Sequence, residues 1–319
     1  MLRETLQESL KTSLKDLSLE EFAAEFITKT QAIEEFYKLC NGINAGKTIS
    51  LLFNPHRLST DTEKDDLSVY ESLQVDDKLN GLARLYLYNL EHGVNNAFYS
   101  AIQRGYQNIQ YVNEFPPFVA RSIICEYAHN KRHDGVLRVL DPCAGWGGRM
   151  IGCASFEDVY YTACEPSSLT NIGLQKLGKW LQTLQPSFRF NVSMLPYEDF
   201  QSADLFDIAI TSPPYYDTEH YSDEPSNSLI RYKSFDSWID GFYKPLILNT
   251  VNRLVRDGVF IINVGDRKYP LSEYLMSICA ENGLHCVRIH DYLSGNGIGK
   301  EKFYCVSKSK RIVSQRKLF

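Results

Sequence analysis

The spacing of hydrophobic positions divides the chain into two regions. From Leu2 to about Asn41, and again from Leu79 to Leu90, apolar residues recur at the three- and four-residue spacing of amphipathic helices. From Val136 onward, short apolar runs alternate with helical stretches instead. We therefore predict a mainly helical N-terminal region over residues 1–112 and an α/β domain over residues 113–319.

The short apolar runs of the second region predict the strands of a parallel sheet. Helical stretches separate most of these runs, and parallel strands need such crossover connections, which place helices on both faces of the sheet. The predicted strands are Val136–Leu140, Val159–Ala163, Phe188–Val192, Phe206–Ile210, Val259–Val264, His285–Ile289 and Phe303–Val306. We expect a helix over Phe118–Tyr127 before the first strand and a long one from Phe235 to Arg253.

Several polar stretches carry weaker signals. Asn54–Asp66 predicts an exposed loop. Tyr99–Tyr111 is rich in Tyr, Gln and Asn, a mixture that suits stacking on bases and equally suits an ordinary amphipathic segment. Ser18, followed by Glu21, predicts the N-cap box of a helix. Asp217–Tyr232 is long for a connection, and we expect it to carry function.

Composition places the chain among ordinary globular proteins, with 44% hydrophobic and 23% charged residues. No apolar run approaches the length of a membrane span and no signal peptide is recognisable, so we expect a cytoplasmic protein without a membrane partner. The net charge of -5 argues against wrapping DNA over the whole surface, although a basic strip over Lys308–Lys317 remains available. The eight cysteines form no Cys-x-x-Cys pair, which predicts free thiols and no metal site.

Two motifs follow predicted strands and therefore lie at the same edge of the sheet. Asp141–Gly148, Asp-Pro-Cys-Ala-Gly-Trp-Gly-Gly, turns through glycine into a helix start, where a ligand can approach bare backbone. A dinucleotide-binding turn would need a third glycine at Met150. The second motif, Thr-Ser-Pro-Pro-Tyr-Tyr, is Thr211–Tyr216.

Together, these motifs resemble the S-adenosylmethionine-dependent methyltransferases that modify exocyclic amino groups of nucleic-acid bases. The resemblance covers roughly Phe115–Lys308, with Cys143 in place of the usual phenylalanine and Trp146 at a position that is often small. It implies a Rossmann-like, seven-stranded methyltransferase sheet whose last strand is antiparallel. It also implies S-adenosyl-L-methionine as the cofactor.

The resemblance assigns cofactor contacts to three groups of residues, for the methionine part, the ribose and the adenine. The backbone of the glycine turn and the preceding Phe-Pro pair would contact the methionine part: Phe115, Pro116, Asp141, Cys143, Ala144, Gly145 and Gly147. Glu165, about 20 residues beyond the turn, would accept the ribose hydroxyls, or it is a solvated helix-cap carboxylate. Either Glu198 or Asp199 would accept the adenine amino group.

The Ser-Pro-Pro-Tyr motif has the groups that amine methylation requires. An exocyclic amine is a poor nucleophile because its lone pair is delocalised, so acceptors on its two hydrogens favour attack. The Ser212 hydroxyl and the Pro213 carbonyl are the predicted acceptors, and Pro214 stiffens the backbone. Tyr215 would stack on a base turned out of the helix. The alternative is a rigid surface turn.

These observations lead to a methyltransferase acting on cytosine N4 or adenine N6, with DNA the preferred substrate. Ser before Pro-Pro favours cytosine within the resembling family, whereas the order of the motifs favours adenine, so the base stays open. Two alternatives are an RNA base methyltransferase and a catalytically silent binding subunit. Residues 1–112, with the loop after Tyr216, would recognise the nucleic acid. The oligomeric state, monomer or homodimer, is not predicted.

Overall fold

A computed structural model describes residues 2–60, 67–94, 97–105, 112, 114–128, 134–218, 221–290 and 301–310. Contacts between residues divide the chain into two compact units. The first consists of Met1–Glu35, Thr48–Asn113 and Glu219–Tyr221, and the second of Phe36–Lys47, Glu114–Thr218 and Ser222–Phe319. A separate recognition domain over residues 1–112 stays a prediction.

The first unit is helical. Its helices are α1 (Leu2–Lys15), α2 (Leu19–Ala24), the start of α3 (Lys29–Cys40), α4 (Asp76–Glu91) and α5 (Ala97–Gly105). Phe22, Phe26 and Phe98 meet edge to face in its core, with ring centroids 5.4 to 5.6 Å apart. The predicted N-cap box is confirmed, because Ser18 Oγ accepts from the amide of Glu21 and the Glu21 carboxylate accepts from the amide of Ser18.

The expectation of an exposed loop after residue 53 is wrong for its first part. Pro55–Ser59 forms a 3-10 turn in which Arg57 and Leu58 are buried. Pro55 suits the first position of such a turn, and the apolar Leu58 joins the core of the unit. Arg57 donates to Ser50 Oγ at 2.9 Å. Residues 61–66 and the end of the Tyr-rich stretch, 106–111, lie outside the described residues.

The second unit contains the predicted sheet. Within the described residues, seven strands lie in the order β3-β2-β1-β4-β5-β7-β6. They are β1 (Leu137–Asp141), β2 (Val159–Cys164), β3 (Arg189–Ser193), β4 (Phe206–Thr211), β5 (Leu254–Gly265), β6 (His285–His290) and β7 (Glu301–Ser307). β1 to β5 pair in parallel, and β7 is antiparallel to both β5 and β6. The predicted fold class is confirmed, including the antiparallel last strand.

Helices cover both faces of the sheet, which explains why β4 is buried along its whole length. The helices of this unit are α6 (Pro117–Tyr127), α7 (Gly148–Ala154), α8 (Ser168–Leu184), α9 (Ser228–Arg231), α10 (Phe235–Trp238), α11 (Lys244–Asn252) and α12 (Leu271–Glu281). On one face, α10 to α12 share a core with Leu140, Ala209 and Phe260. On the other, Tyr127 of α6 reaches His290 and Cys305 on the last two strands.

The long helix expected from Phe235 is present, with one irregularity. A π-helical turn over Ile239–Tyr243 separates α10 from α11. A Cβ on Gly241 in this turn would collide with the ring of Tyr232, so the turn lets the Tyr232 side chain lie close to the helix. No helix among the described residues is long and apolar enough to cross a membrane.

The strand order creates a switch point between β1 and β4. β1 continues to β2 on one side, and β4 lies on its other side. The turns after these two strands therefore emerge next to each other at the carboxyl edge of the sheet, where open α/β sheets bind ligands. These are the two turns that carry the sequence motifs.

Candidate active site

Three glycines shape the turn after β1, each for a different reason. Gly145 and Gly147 have φ angles of +55° and +103°, which favour glycine. A Cβ at Gly147 would lie 2.6 Å from Leu177 on α8, and one at Gly148 would collide with the carbonyl of Phe115. A Cβ at Gly145, by contrast, would have no described atom closer than 4.0 Å. The turn is tightly packed at Gly147 and Gly148 and less crowded at Gly145.

Asp141 lies beneath this turn and holds it in place. Its carboxylate is completely buried and accepts four hydrogen bonds from four different parts of the unit. The donors are Arg149 Nε at 2.7 Å, Tyr161 OH at 2.7 Å, Thr211 Oγ1 at 2.9 Å and the Cys143 amide at 3.2 Å. One carboxylate thus ties together α7, β2, the end of β4 and the turn itself.

This network bears on the prediction that Asp141 contacts the cofactor. Its side chain cannot reach a ligand without losing internal hydrogen bonds, so its contribution is to fix the backbone above it. Thr211 takes part from the other strand, because its Oγ1 also accepts from the Cys143 amide at 3.1 Å. The ends of β1 and β4 are therefore bonded to each other directly.

The predicted Phe-Pro pair lies against the same turn. Phe115 and Pro116 are half-buried just before α6, and the Arg149 guanidinium lies 5.0 Å from the centroid of the Phe115 ring. Phe303 on β7 contacts the same ring edge to face at 5.6 Å. Cys143 is partly buried, and burial raises the pKa of its thiol well above the ordinary value. Ala144 and Trp146 are buried.

Glu165, the predicted ribose acceptor, follows β2 and contacts the glycine turn at Gly145. Its Oε2 accepts from the Gly145 amide at 2.9 Å and its Oε1 from the Ser167 amide at 3.0 Å. Burial raises the pKa of this carboxyl to about 7, although the two backbone amides oppose the rise. Glu165 is therefore a buried acid beside the turn, and the alternative of a solvated carboxylate is wrong.

The structure distinguishes between the two acids after β3. Both oxygens of Asp199 accept from Arg231, at 2.7 and 3.2 Å, and its side chain is 53% exposed. Glu198 is 9% exposed, and its Oε1 accepts from Tyr232 OH at 3.1 Å. Its Oε2 is buried and accepts no hydrogen bond from the described residues. Of the two acids, Glu198 is therefore the one with an oxygen that can still accept a hydrogen bond from a ligand.

The segment of residues 222–232 lies along this side of the site. Glu224 accepts from the amide of Ser168 at 3.0 Å, at the first residue of α8. Ser226 Oγ donates to the Pro166 carbonyl at 3.2 Å. Arg231, at the other end, binds Asp199. The predicted functional loop thus contacts the residues that follow Glu165, and Asp199 itself. Residues 219 and 220 lie outside the described residues.

The Ser-Pro-Pro-Tyr motif directly follows Thr211, whose hydroxyl is bonded to the glycine turn. Ser212 and Pro214 are half-buried, whereas Pro213 is buried. Ser212 Oγ lies 3.2 Å from Oδ1 of Asn263 on β5. The hydroxyl therefore lies at the sheet edge, beside the predicted cofactor turn, and its catalytic role stays a prediction.

Tyr215 is more enclosed than a stacking residue would be. Its ring is 9% exposed, and its hydroxyl donates to Asn263 Oδ1 at 3.2 Å. The Arg267 guanidinium lies 5.8 Å from the ring centroid. Stacking of Tyr215 on a target base stays a prediction. The next residue, Tyr216, has a φ of +55°, and its ring contacts Phe235.

Sequence reasoning missed the residues that support the two motifs. Arg149, Tyr161 and Thr211 bind Asp141, and Asn263 joins Ser212 to Tyr215. Asn263 could have been found, because it is the polar residue in an otherwise apolar predicted strand, and a buried polar side chain needs partners. Among the described residues, no group of three or more His, Cys, Asp or Glu side chains could hold a metal ion.

Comparison with known proteins gives one curated relative. The ribosomal protein uL3 glutamine methyltransferase of Francisella tularensis is 28% identical over 169 residues, which cover 49% of this chain and 52% of that protein. The alignment thus spans about half the length of the relative. No protein-family model matches the chain.

Two solved structures illustrate a resemblance at low sequence identity. A Listeria monocytogenes protein described as a class I S-adenosylmethionine-dependent methyltransferase has a TM-score of 0.47 and 13% identity, with 90% of this chain and 91% of that chain covered. A human methyltransferase 10 domain containing protein has a TM-score of 0.43 and 14% identity, with 62% and 84% covered.

Proposed function

We propose that this protein transfers the methyl group of S-adenosyl-L-methionine to a planar NH2 group, and that the acceptor is the exocyclic amine of a nucleic-acid base. The observation that carries this proposal is the direct bonding of the two turns. Thr211 Oγ1 binds the Cys143 amide at 3.1 Å, and the next residue presents the Ser212 hydroxyl. A cofactor on the glycine turn and an acceptor at Ser212 would therefore be neighbours.

The residues around the glycine turn fit S-adenosyl-L-methionine. Gly145 is the least crowded glycine of the turn, since a Cβ there would meet, among the described residues, only Arg149, at 4.0 Å. Glu165 can accept from ribose hydroxyls in its ionised form, and Glu198 Oε2, buried and without a hydrogen bond among the described residues, can accept from the adenine amino group. The cofactor supplies an electrophilic methyl group when bound. The chain supplies acidic acceptors for two parts of the adenosine and a fixed backbone turn.

The Ser-Pro-Pro turn would prepare the acceptor nitrogen. Ser212 Oγ and the Pro213 carbonyl each accept one amine hydrogen, which pulls the nitrogen toward a tetrahedral shape and frees its lone pair. Two consecutive prolines restrict the backbone that carries these acceptors. Ser212 is neutral and does not need to remove a proton beforehand, because the nitrogen becomes acidic only as it is methylated. Orientation is then the main contribution of these residues.

A specific observation favours a second acceptor. The curated relative is named for methylation of a glutamine in a ribosomal protein, and a glutamine side chain also ends in a planar, conjugated NH2 group. The acceptor pair at Ser212 and Pro213 suits an amide as well as a base amine. The two candidates differ in substrate and agree in chemistry. Among nucleic acids, DNA is the substrate that we propose, with RNA as the alternative.

The test is transfer of a labelled methyl group from S-adenosyl-L-methionine to a panel of acceptors. The panel contains single- and double-stranded DNA, RNA and ribosomal protein, and the products are hydrolysed to nucleosides and amino acids. Label in N4-methylcytosine or N6-methyladenine from DNA is the expected result. Label in N5-methylglutamine would support the second candidate. Binding of the cofactor without transfer to any NH2 group would contradict the proposal.

A further inference from the structure

Asn263 occupies a position where a buried strand would ordinarily carry an apolar residue. It lies near the end of β5, where neighbouring Ile262 and Val264 are buried, and it is itself 4% exposed. Burying an amide is unfavourable unless its polar atoms are hydrogen-bonded. The partners of Asn263 therefore indicate what the side chain does.

The orientation of the Asn263 amide follows from the last strand. Val264 pairs with Lys302 on β7, and the Lys302 carbonyl lies 3.4 Å from Asn263 Nδ2. A carbonyl can only accept a hydrogen bond, so the NH2 end of the amide must face it. The opposite rotamer would place two acceptor oxygens against each other. Oδ1 is thereby turned toward the Ser-Pro-Pro-Tyr motif.

This orientation determines the direction of two further hydrogen bonds. Oδ1 lies 3.2 Å from both Ser212 Oγ and Tyr215 OH, and as an amide oxygen it can only accept. Ser212 therefore donates its single proton to Asn263. The Ser212 oxygen then has only lone pairs to offer a substrate, and it acts as an acceptor rather than as a donor.

We propose that Asn263 is a specificity-determining positioning residue that makes the site select NH2 groups and reject carbonyl oxygens. This inference rests on the function proposed above. An NH2 hydrogen meets the lone pairs of Ser212 favourably, whereas a keto oxygen in the same place would face another acceptor. Such a mismatch discriminates more strongly than a difference in shape, because a polar group is left without a partner. Cytosine and adenine are thereby separated from their keto counterparts.

Two substitutions of Asn263 test the proposal. Asn263→Ala removes the acceptor, so that the Ser212 hydroxyl can rotate and donate to a keto oxygen. Asn263→Asp, kept protonated by its burial, donates to the Lys302 carbonyl through its OH and keeps its other oxygen facing both hydroxyls, so it should preserve the selectivity. The measurement uses two otherwise identical acceptors, one with the base that the wild type methylates and one with its keto counterpart, uracil for cytosine or hypoxanthine for adenine.

The keto compound serves as a competitive inhibitor, and selectivity is the ratio of its inhibition constant to the KM of the amino substrate. We expect Asn263→Ala to lower this ratio at least about tenfold and Asn263→Asp to leave it within about threefold of the wild type. Ser307→Ala is the matched control. Ser307 is also buried and joins β7 to β5 through the Gly258 carbonyl at 3.1 Å, yet Gly258 precedes Asn263 by five residues of the strand.

The outcomes separate the two proposals. An unchanged ratio in Asn263→Ala, or an equal drop in Ser307→Ala, would show that Asn263 has only a structural role while leaving methyl transfer intact. Loss of selectivity in Asn263→Asp would contradict the acceptor argument. If the wild type transfers no methyl group to any amino substrate, the proposed function itself is wrong, and the inference falls with it.

Discussion

The turns after β1 and β4 lie side by side and differ in how their polar side chains are used. Below the glycine turn, Asp141 accepts four internal hydrogen bonds and is fully buried. In the neighbouring turn, Ser212 donates internally and is a half-buried residue at the sheet edge. The polar side chain of the first turn stabilises the protein's own backbone, whereas the polar side chain of the second turn lies where a substrate could contact it.

The same difference separates the acidic residues of the site. Asp141 has no acceptor capacity left for a ligand, whereas Glu198 keeps one buried oxygen without a hydrogen bond among the described residues. Glu165 is intermediate, because each of its two oxygens accepts one backbone amide and keeps a lone pair for a donor from a ligand. Burial alone therefore does not identify a binding residue, and the remaining hydrogen-bonding capacity is the better guide.

The largest effect is expected when the support of the glycine turn is removed. Asp141→Asn leaves Arg149 as a buried, unpaired charge, which should lower the free energy of unfolding by about 3 to 5 kcal/mol. The control is Asp134→Asn, which breaks the more exposed pair with Arg138 and should cost about 1 kcal/mol or less. Chemical denaturation measures both. Equal losses in the two variants would mean that Asp141 does not hold the turn.

The next effect concerns the turn that presents a polar group. Ser212→Ala should lower kcat on the order of 10²-fold, as expected when one fixed hydrogen-bonding group is lost from a reaction centre. Affinity for S-adenosyl-L-methionine should stay within about twofold, because we propose that Ser212 contacts the acceptor and not the adenosine. Ser202→Ala, before β4 at the opposite end of the strand, is the control and should leave kcat unchanged. If the variant lost cofactor affinity as well, Ser212 would contact the cofactor instead of the acceptor.

Glu165 should make cofactor binding depend on pH. Its carboxyl has a pKa of about 7, and the ionised form is the better acceptor for ribose hydroxyls. Affinity for S-adenosyl-L-methionine should therefore increase as the pH rises through about 7, by up to about tenfold per unit below the pKa. Isothermal titration at several pH values measures this increase. Glu165→Gln should flatten it, and an unchanged slope in that variant would exclude Glu165 as its source.

The stability of the free protein should change in the opposite direction. Because the folded-state pKa of Glu165 is raised above the ordinary value of 4.5, its contribution to stability is fully present below that value. The contribution is lost as the pH rises through about 7. Comparison of Tm between the wild type and Glu165→Gln over this range isolates the contribution of this residue.

The smallest effect compares the two neighbouring acids. Glu198→Gln should weaken cofactor binding about five- to tenfold, because Arg231 and Tyr232 would hold the amide oxygen and leave an NH2 group facing the adenine amino group. Asp199→Asn should change affinity by about twofold or less, since its partner Arg231 is at the surface. The reverse order of effects would assign the adenine contact to Asp199.

The strands could be predicted from the sequence because a parallel sheet buries both of its faces. The mainly apolar run Phe206–Ile210 matches β4 to within one residue, whereas the predicted strand Val259–Val264 covers only the second half of β5. The antiparallel last strand came from the family resemblance and not from the residues. The π-helical turn after Trp238 was not predicted, because it depends on the Tyr232 ring packing against Gly241.

The positions of the site residues could be predicted better than their partners. Strand ends and glycine turns placed Glu165 and Ser212 at one edge of the sheet. Whether Asp141 faces a ligand or the interior depends on Arg149, Tyr161 and Thr211, which meet only in the folded unit. The same reason explains why Glu198 and Asp199 could not be distinguished, since Arg231 lies more than thirty residues away in the chain.

β7 lies between β5 and β6 in the sheet although it comes last in the chain, and this has a consequence for the order in which parts of the protein form during synthesis. Glu165 and the glycine turn belong to a contiguous stretch, so the adenosine half can assemble from local segments. The amide of Asn263 is oriented by the Lys302 carbonyl, 39 residues later in the chain. A nascent chain would therefore contain the glycine turn and its Thr211 support before it contains the contact that orients Asn263.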